Sequence, residues 1–201
     1  ADHRAVFGVT GAERKDVLGH VPRQGDVRDR EGRAEPLAPG EPALEAIVGL
    51  AHLAVQLAPN DSQLLFDLAR LYDGKGNLDG ARDLLKRVLE LDPKYVAPLI
   101  QLGQVEIRRR SFDEPLKYLQ PAFSESVQTG NEAAKGAALH AIGVAFKRLN
   151  KRADALANYE QALKIRRGID DRRGVAATLS EIGQVQMALQ QTDAAIASYR
   201  R

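Results

Sequence analysis

The 201-residue chain has no cysteine, no tryptophan and a single methionine, and aromatic residues make up only 5% of it. Without cysteine there are no disulfides, no thiolate metal sites and no thiol nucleophile. So few aromatics, beside a hydrophobic content of 44% rich in Ala and Leu, favour helices packed through small side chains over a sheet. Long apolar runs are missing too. The longest, Ala43–Ala58, is broken by Glu45, His52 and Gln56 and is too short to span a bilayer. No membrane insertion is expected, no secretory leader is visible, and a cytoplasmic location follows as the expectation. A net charge of +2 selects no partner by itself.

Chemistry-bearing motifs are equally scarce. The four histidines, His3, His20, His52 and His140, stand far apart, and no His-Glu-x-x-His or Gly-x-Ser-x-Gly pattern occurs. Gly8-Val9-Thr10-Gly11 lacks the Lys-Ser/Thr of a phosphate loop. Asp170-Asp171 reads as a solvated turn, since a metal site needs more oxygen ligands at fixed spacing. The expectation is a non-enzymatic protein with no catalytic residue, no metal and no cofactor.

What the sequence does contain is periodicity. In residues 62–95, Leu65, Leu68, Ala69 and Tyr72 fall on one helical face, and Ala81, Leu84, Leu85, Val88 and Leu89 repeat the pattern after Gly-Lys-Gly-Asn. Asn77 is placed to cap the second helix and Pro93 to stop it. The layout recurs: Leu65-x-x-Leu68-Ala69 matches Leu99-x-x-Leu102-Gly103, Leu139-x-x-Ile142-Gly143 and Leu179-x-x-Ile182-Gly183, at spacings of 34, 40 and 40. The second helices align through Ala81, Pro115, Ala155 and Ala195. A mid-helix glycine costs about 1 kcal/mol against alanine. Three in register therefore imply close helix contact, expected against the alanines of the partner helix.

This pattern resembles the tetratricopeptide repeat family, over roughly residues 62–201 with a half-repeat before it. The resemblance implies an all-α solenoid of stacked antiparallel hairpins. The expected layout is an irregular linker or fragment of a preceding domain at 1–40, a helix at 42–58 buried on more than one side, and repeats at 62–95, 96–135, 136–175 and 176–201, the last truncated. Val6–Val9 is a candidate short strand in the irregular part. Glu106 and Gln186 stand where Tyr72 and Phe146 keep the usual aromatic. Ser111-Phe112-Asp113-Glu114 reads as a capping box, which puts Pro115 at the end of the first turn. The 40-residue copies carry extra length at Ser124–Lys135 and Arg166–Gly174, as in the long-repeat variety common in bacterial regulatory and signalling proteins.

In such a solenoid the first helices line a concave groove. The expected lining is Gln63, Phe66, Arg70, Ile100, Gln104, Arg108, His140, Val144, Lys147, Ser180 and Gln184, with Phe66 and Ile100 as apolar anchors and His140 as a solvated or hydrogen-bonded lining residue rather than a switch, although its charge could change near neutral pH. The resemblance implies a peptide or partner helix in that groove and a scaffold within a larger bacterial protein. Chaperone-binding members clamp a terminal carboxylate, but the matching places here hold Phe66, Arg70, His140 and Val144, so that clamp is missing. Arg109, Arg110, Arg148, Lys151 and Arg152 form a basic rim at the hairpin turns, and Arg166-Arg167 and Arg172-Arg173 lie near the opposite edge. An acidic partner or nucleic acid is the alternative occupant of the rim, although no aromatics interleave with the cations. A regulatory or sensor module controlling an attached effector is the other alternative. Finally, Ile182, Val185 and Leu189 are expected to lie partly uncovered beneath a last helix cut short at Arg201, inviting self-association through the C-terminal repeat.

Overall fold

The computed structural model describes residues 41–111 and 114–200. The candidate strand near Val6 and the central residues of the capping box, Phe112 and Asp113, lie outside them. The chain divides into two units, Ala1–Glu45 and Ala46–Arg201. The described residues form nine helices and no strand: α1 (Glu41–Leu57), α2 (Ser62–Gly74), α3 (Leu78–Leu91), α4 (Val96–Arg108), α5 (Pro115–Gln128), α6 (Glu132–Arg148), α7 (Arg152–Gly168), α8 (Arg172–Ala188) and α9 (Thr192–Tyr199). From α2 onward, consecutive helices pack on one another, so the larger unit is an all-α solenoid of hairpins. The extra length of the 40-residue copies goes into α6, α7 and α8 and into the connection at 109–114, while α5 keeps 14 residues. α6, α7 and α8 have 17 residues each, against 13 or 14 in α2, α3 and α4.

Local chemistry sets the helix ends. Asp61 accepts from the backbone of Gln63 and Leu64, and Asn77 from Gly80 at 3.0 Å. Asn131 and Asp171 cap α6 and α8 in the same way through Ala134 and Gly174. Six turns, those at Gly76, Arg110, Gly130, Asn150, Asp170 and Gln190, pass through positive φ. Pro115 is the first residue of α5, not the end of its first turn as expected. There its fixed φ suits the helix and its missing N–H costs nothing.

The hydrophobic interior is shared between neighbours. Leu65, Leu85 and Val88 pack with Leu102 and Val105; Leu99 and Ile107 with Leu119, Ala122 and Ile142; Tyr159 and Leu163 with Leu179, Ile182 and Val185. Tyr118 touches the first two groups, and Val144 and Phe146 the last two, so each hairpin completes its neighbour's core.

Three expectations are corrected. The glycines do not face alanines. A Cβ on Gly103 would meet Leu119 at 2.5 Å, on Gly143 Tyr159 at 2.6 Å and on Gly183 Tyr199 at 2.6 Å. The alanines are buried one turn earlier, and the large residue four positions on fills the space that glycine leaves. Second, α1 is not buried on several sides: Val48 is covered, but Ile47, Leu50, Leu53 and Leu57 are exposed. Third, Ile182 and Val185 are buried, packed with Ala155, Tyr159 and Leu163 of α7; Leu189, Ile196 and Tyr199 remain exposed.

Candidate interaction surface

The substantial packing between non-consecutive helices joins first helices only: α4 to α6 and α6 to α8. The first helices α4, α6 and α8 thus approach each other more closely than the second helices do. Side chains of successive first helices meet at repeat-equivalent positions. Gln101 donates to Asp73 at 2.7 Å, and Arg108 closes an ion pair on the same carboxylate. One hairpin further, Ile107 and Ala141 hold the equivalent places and are both buried. One further still, Lys147 is ion-paired to Glu181 and donates to Gln184 at 2.9 Å. At this position the three steps carry polar, apolar and ionic side chains in turn, beside apolar packing that all three share.

The expected lining residues fare differently. Gln63 is exposed, accepts from the Tyr95 hydroxyl at 2.7 Å and donates to Asp67. Arg70 is exposed, with a loose ion pair to Asp67 at 3.9 Å. Gln104 and Ser180 are half-buried and Gln184 is exposed. Arg108 and Lys147 are held by the carboxylates named above, and half-buried Val144 packs against two core clusters. Phe66 and Ile100 are corrections: at 8% and 9% exposure they are core residues, not anchors. Phe66 packs its ring on Tyr95 at 5.5 Å, because position 95 brings an aromatic from the inter-hairpin turn over it.

His140, expected as a solvated or hydrogen-bonded lining residue, is largely buried. Burial, aided by the charge of Arg166, lowers its pKa to about 4, while Glu181 pulls weakly the other way. The Thr178 hydroxyl donates to the Gly174 carbonyl at 2.7 Å and accepts from Arg166 Nη1 at 2.7 Å, and His140 Nδ1 lies 3.3 Å from the same oxygen. The ring also packs on Tyr159, whose hydroxyl donates to Glu181 at 3.3 Å. Burial and the Glu181 charge push the Tyr159 pKa well up.

The basic edges are less free than the sequence suggests. Arg109 binds buried Glu106 at 3.1 Å and Asp79 at 2.7 Å, so the carboxylate in the aromatic position has a structural task. Lys151 sits over the Phe146 ring at 5.9 Å. Arg110 and Arg148 are exposed and Arg152 half-buried. Arg166 does not lie on an edge. It is buried, bonded to Gly174 and Thr178, and 3.6 Å from Asp171, and its Nε is the one buried side-chain polar atom among the described residues without a hydrogen-bond partner. Sequence reading missed Asp73, Gln101, Thr178 and Glu181. Aligning the repeats beyond their apolar positions would have paired Asp73 with Lys147 and Gln101 with Glu181.

Among the described residues no cluster of His, Asp and Glu is arranged to hold a metal, and no helix is long and apolar enough to cross a membrane.

Comparison with known proteins agrees with this architecture. Family models described as tetratricopeptide repeat match residues 43–102 and 136–169. The sequence matches no curated protein. Among solved structures, MamA is 18% identical with a TM-score of 0.61, covering 80% of this chain and 86% of that one. BtubC (BKLC) from P. vanneervenii is 20% identical with a TM-score of 0.69, covering 80% and 72%. A Podosopora anserina chain of nearly identical TPR-like repeats, named for kinesin light chain, is 17% identical with a TM-score of 0.66, covering 80% and 85%. At these identities the likeness is one of fold. Together with the repeat-equivalent glycines and the hairpin packing, the matches identify residues 43–102 and 136–169 as tetratricopeptide repeats within an all-α repeat solenoid.

Proposed function

We propose that this array is a non-enzymatic scaffold that binds an extended peptide or a partner's helix along the inner face of α2, α4, α6 and α8. Repeats of this family serve as protein-interaction scaffolds, and the inner face supports the same role here. The carrying observation is the side-chain order of that face. Asp73, Gln101, Arg108, Lys147 and Glu181 are fixed across successive hairpins by hydrogen bonds and ion pairs. A lining already held in place loses little further side-chain entropy when a ligand arrives. Gln104, Ser180 and Arg70 stand between these fixed groups with bonding capacity to offer. The family context suggests a module of a larger protein.

The test is selection from a displayed random-peptide library, followed by binding measurements on inner-face and outer-face variants. Gln104→Arg and Ser180→Arg should abolish binding of the enriched peptides, and Lys86→Glu on the exposed side of α3 should leave it unchanged. Binding that survives both inner-face changes and is lost with the outer one would refute the groove. The rim reading predicts a steep fall of nucleic-acid binding with salt; the engagement of Arg109 by Glu106 and Asp79 weakens that reading.

A further inference from the structure

The interior second helices are each covered on two sides: α3 by α2 and α4, α5 by α4 and α6, α7 by α6 and α8. α1 takes the corresponding place ahead of α2, yet it is held on one side. Val55 joins the α2–α3–α4 cluster, and His52 bonds the Tyr72 hydroxyl through Nε2 at 2.6 Å. On the opposite side Leu50, Leu53 and Leu57 are 68%, 56% and 84% exposed, and Ala46 is exposed in line with them. These residues follow steps of four, three and four, the alternation by which one helix seats another along a seam. Between Ala46 and Ala58 there is no Asp, Glu, Lys or Arg.

We propose that this seam is an interface between two copies of the chain, with α1 lying antiparallel on α1 of the second copy about a twofold axis. The stripe is its own complement. With the axis passing between positions 51 and 52, Leu57 stands opposite the small Ala46 of the other copy, and Leu50 opposite its Leu53. Both ends of the contact therefore pair large with small, and the centre pairs large with large. A partner helix bearing charges along its seam would bury them against leucine with no countercharge, whereas α1 itself brings none. A contact that maps onto itself closes after two copies. One helix seam falls short of the roughly 800 Å² per partner of a standard interface, so the dimer is weak, with a dissociation constant of about 10–100 µM. The proposal is independent of the groove, which lies on other helices.

The absence of cysteine makes the test direct. Ala46→Cys and Leu57→Cys are made singly in the full chain, tagged to differ in size, and oxidised mildly, apart and mixed. Residues 46 and 57 are about 16 Å apart along the helix, far beyond disulfide reach. The mixture should therefore yield the linked dimer and neither variant alone should. Sedimentation equilibrium of the unmodified chain should show a monomer–dimer equilibrium that Leu50→Glu abolishes with its circular dichroism unchanged. Four results each overturn the proposal: a strict monomer at high micromolar concentration; self-linking of Ala46→Cys, which means a parallel pair; a dimer indifferent to Leu50→Glu; or mass growing without limit, the sign of head-to-tail stacking of α1 on the exposed Ile196 and Tyr199 of the C-terminal repeat.

Discussion

The side chains of Asp171 and Arg166 together fill the space that a methyl group on residue 174 would need: a Cβ built on Gly174 strikes the Asp171 carboxylate first and lies 2.7 Å from both Cδ and Nε of Arg166. The guanidinium reaches Thr178 and the Gly174 carbonyl only because the N-terminus of α8 leaves this opening.

Gly174→Ala should therefore destabilise the array by about 1–3 kcal/mol, and Arg166→Met by a similar or larger amount, since Thr178 and the Gly174 carbonyl lose a bonded neighbour. Arg166→Lys should not rescue stability, because a point charge cannot replace the planar fork. The double variant should lose less than the sum of the two, read from urea midpoints in a double-mutant cycle. Strict additivity would mean that the two residues do not share this space.

Gly143 presents the same relationship to an aromatic ring. Gly143→Leu should cost at least about 1–3 kcal/mol, because a Cβ alone would already stand 2.6 Å from Tyr159 and the ring is enclosed on its far side. Thermal melts check it, and an unchanged melting temperature would remove the assigned contact.

His140 gives the fold a pH dependence with a definite sign. Its folded pKa of about 4 lies below the ordinary 6.5. Between these values the unfolded chain takes up a proton that the folded chain refuses. The stabilising contribution is complete above about pH 6.5, declines as pH falls towards 4 and is then level, amounting to at most about 3 kcal/mol. The charges facing the ring are Arg166 and Lys147, which oppose the imidazolium, and Glu181, which favours it. His140→Gln should flatten the fall in urea midpoint between pH 7 and pH 5. An undiminished slope would place its source elsewhere.

Lys147→Glu should weaken the α6–α8 step by about 1 kcal/mol through like-charge repulsion with Glu181, and Glu181→Lys in the same chain should restore it. The restoration should shrink at high salt, since both side chains are partly exposed. Failure of the charge swap to restore stability would show that Gln184 and Tyr159 dominate that step.

The parts of the molecule legible in the sequence are those written in apolar period and turn chemistry. Leu65, Leu99, Leu139 and Leu179 are buried or nearly so, and Asn77 caps α3. The lining was less legible because helical spacing says which way a residue points and not what another helix lays over it. Phe66 points inward, yet Tyr95 from a turn covers it. Arg166 reads as a surface cation because nothing local announces that Gly174, eight residues on, leaves it a channel. His140 reads as solvated because its partners Thr178 and Tyr159 come from other helices.

Above the apolar packing that all three steps share, the contacts at one repeat-equivalent position act as three springs in series, each made of a different material. The α2–α4 spring is wound from hydrogen bonds and one ion pair, the α4–α6 spring from Ile107 against Ala141, and the α6–α8 spring from Lys147 against Glu181. Raising ionic strength softens the outer two and leaves the middle one taut, while cooling weakens the apolar packing under all three. The array therefore has no single stiffness: salt loosens it at its two outer steps and not at its centre, so a ligand spanning the whole inner face meets a surface whose compliance ionic strength can redistribute.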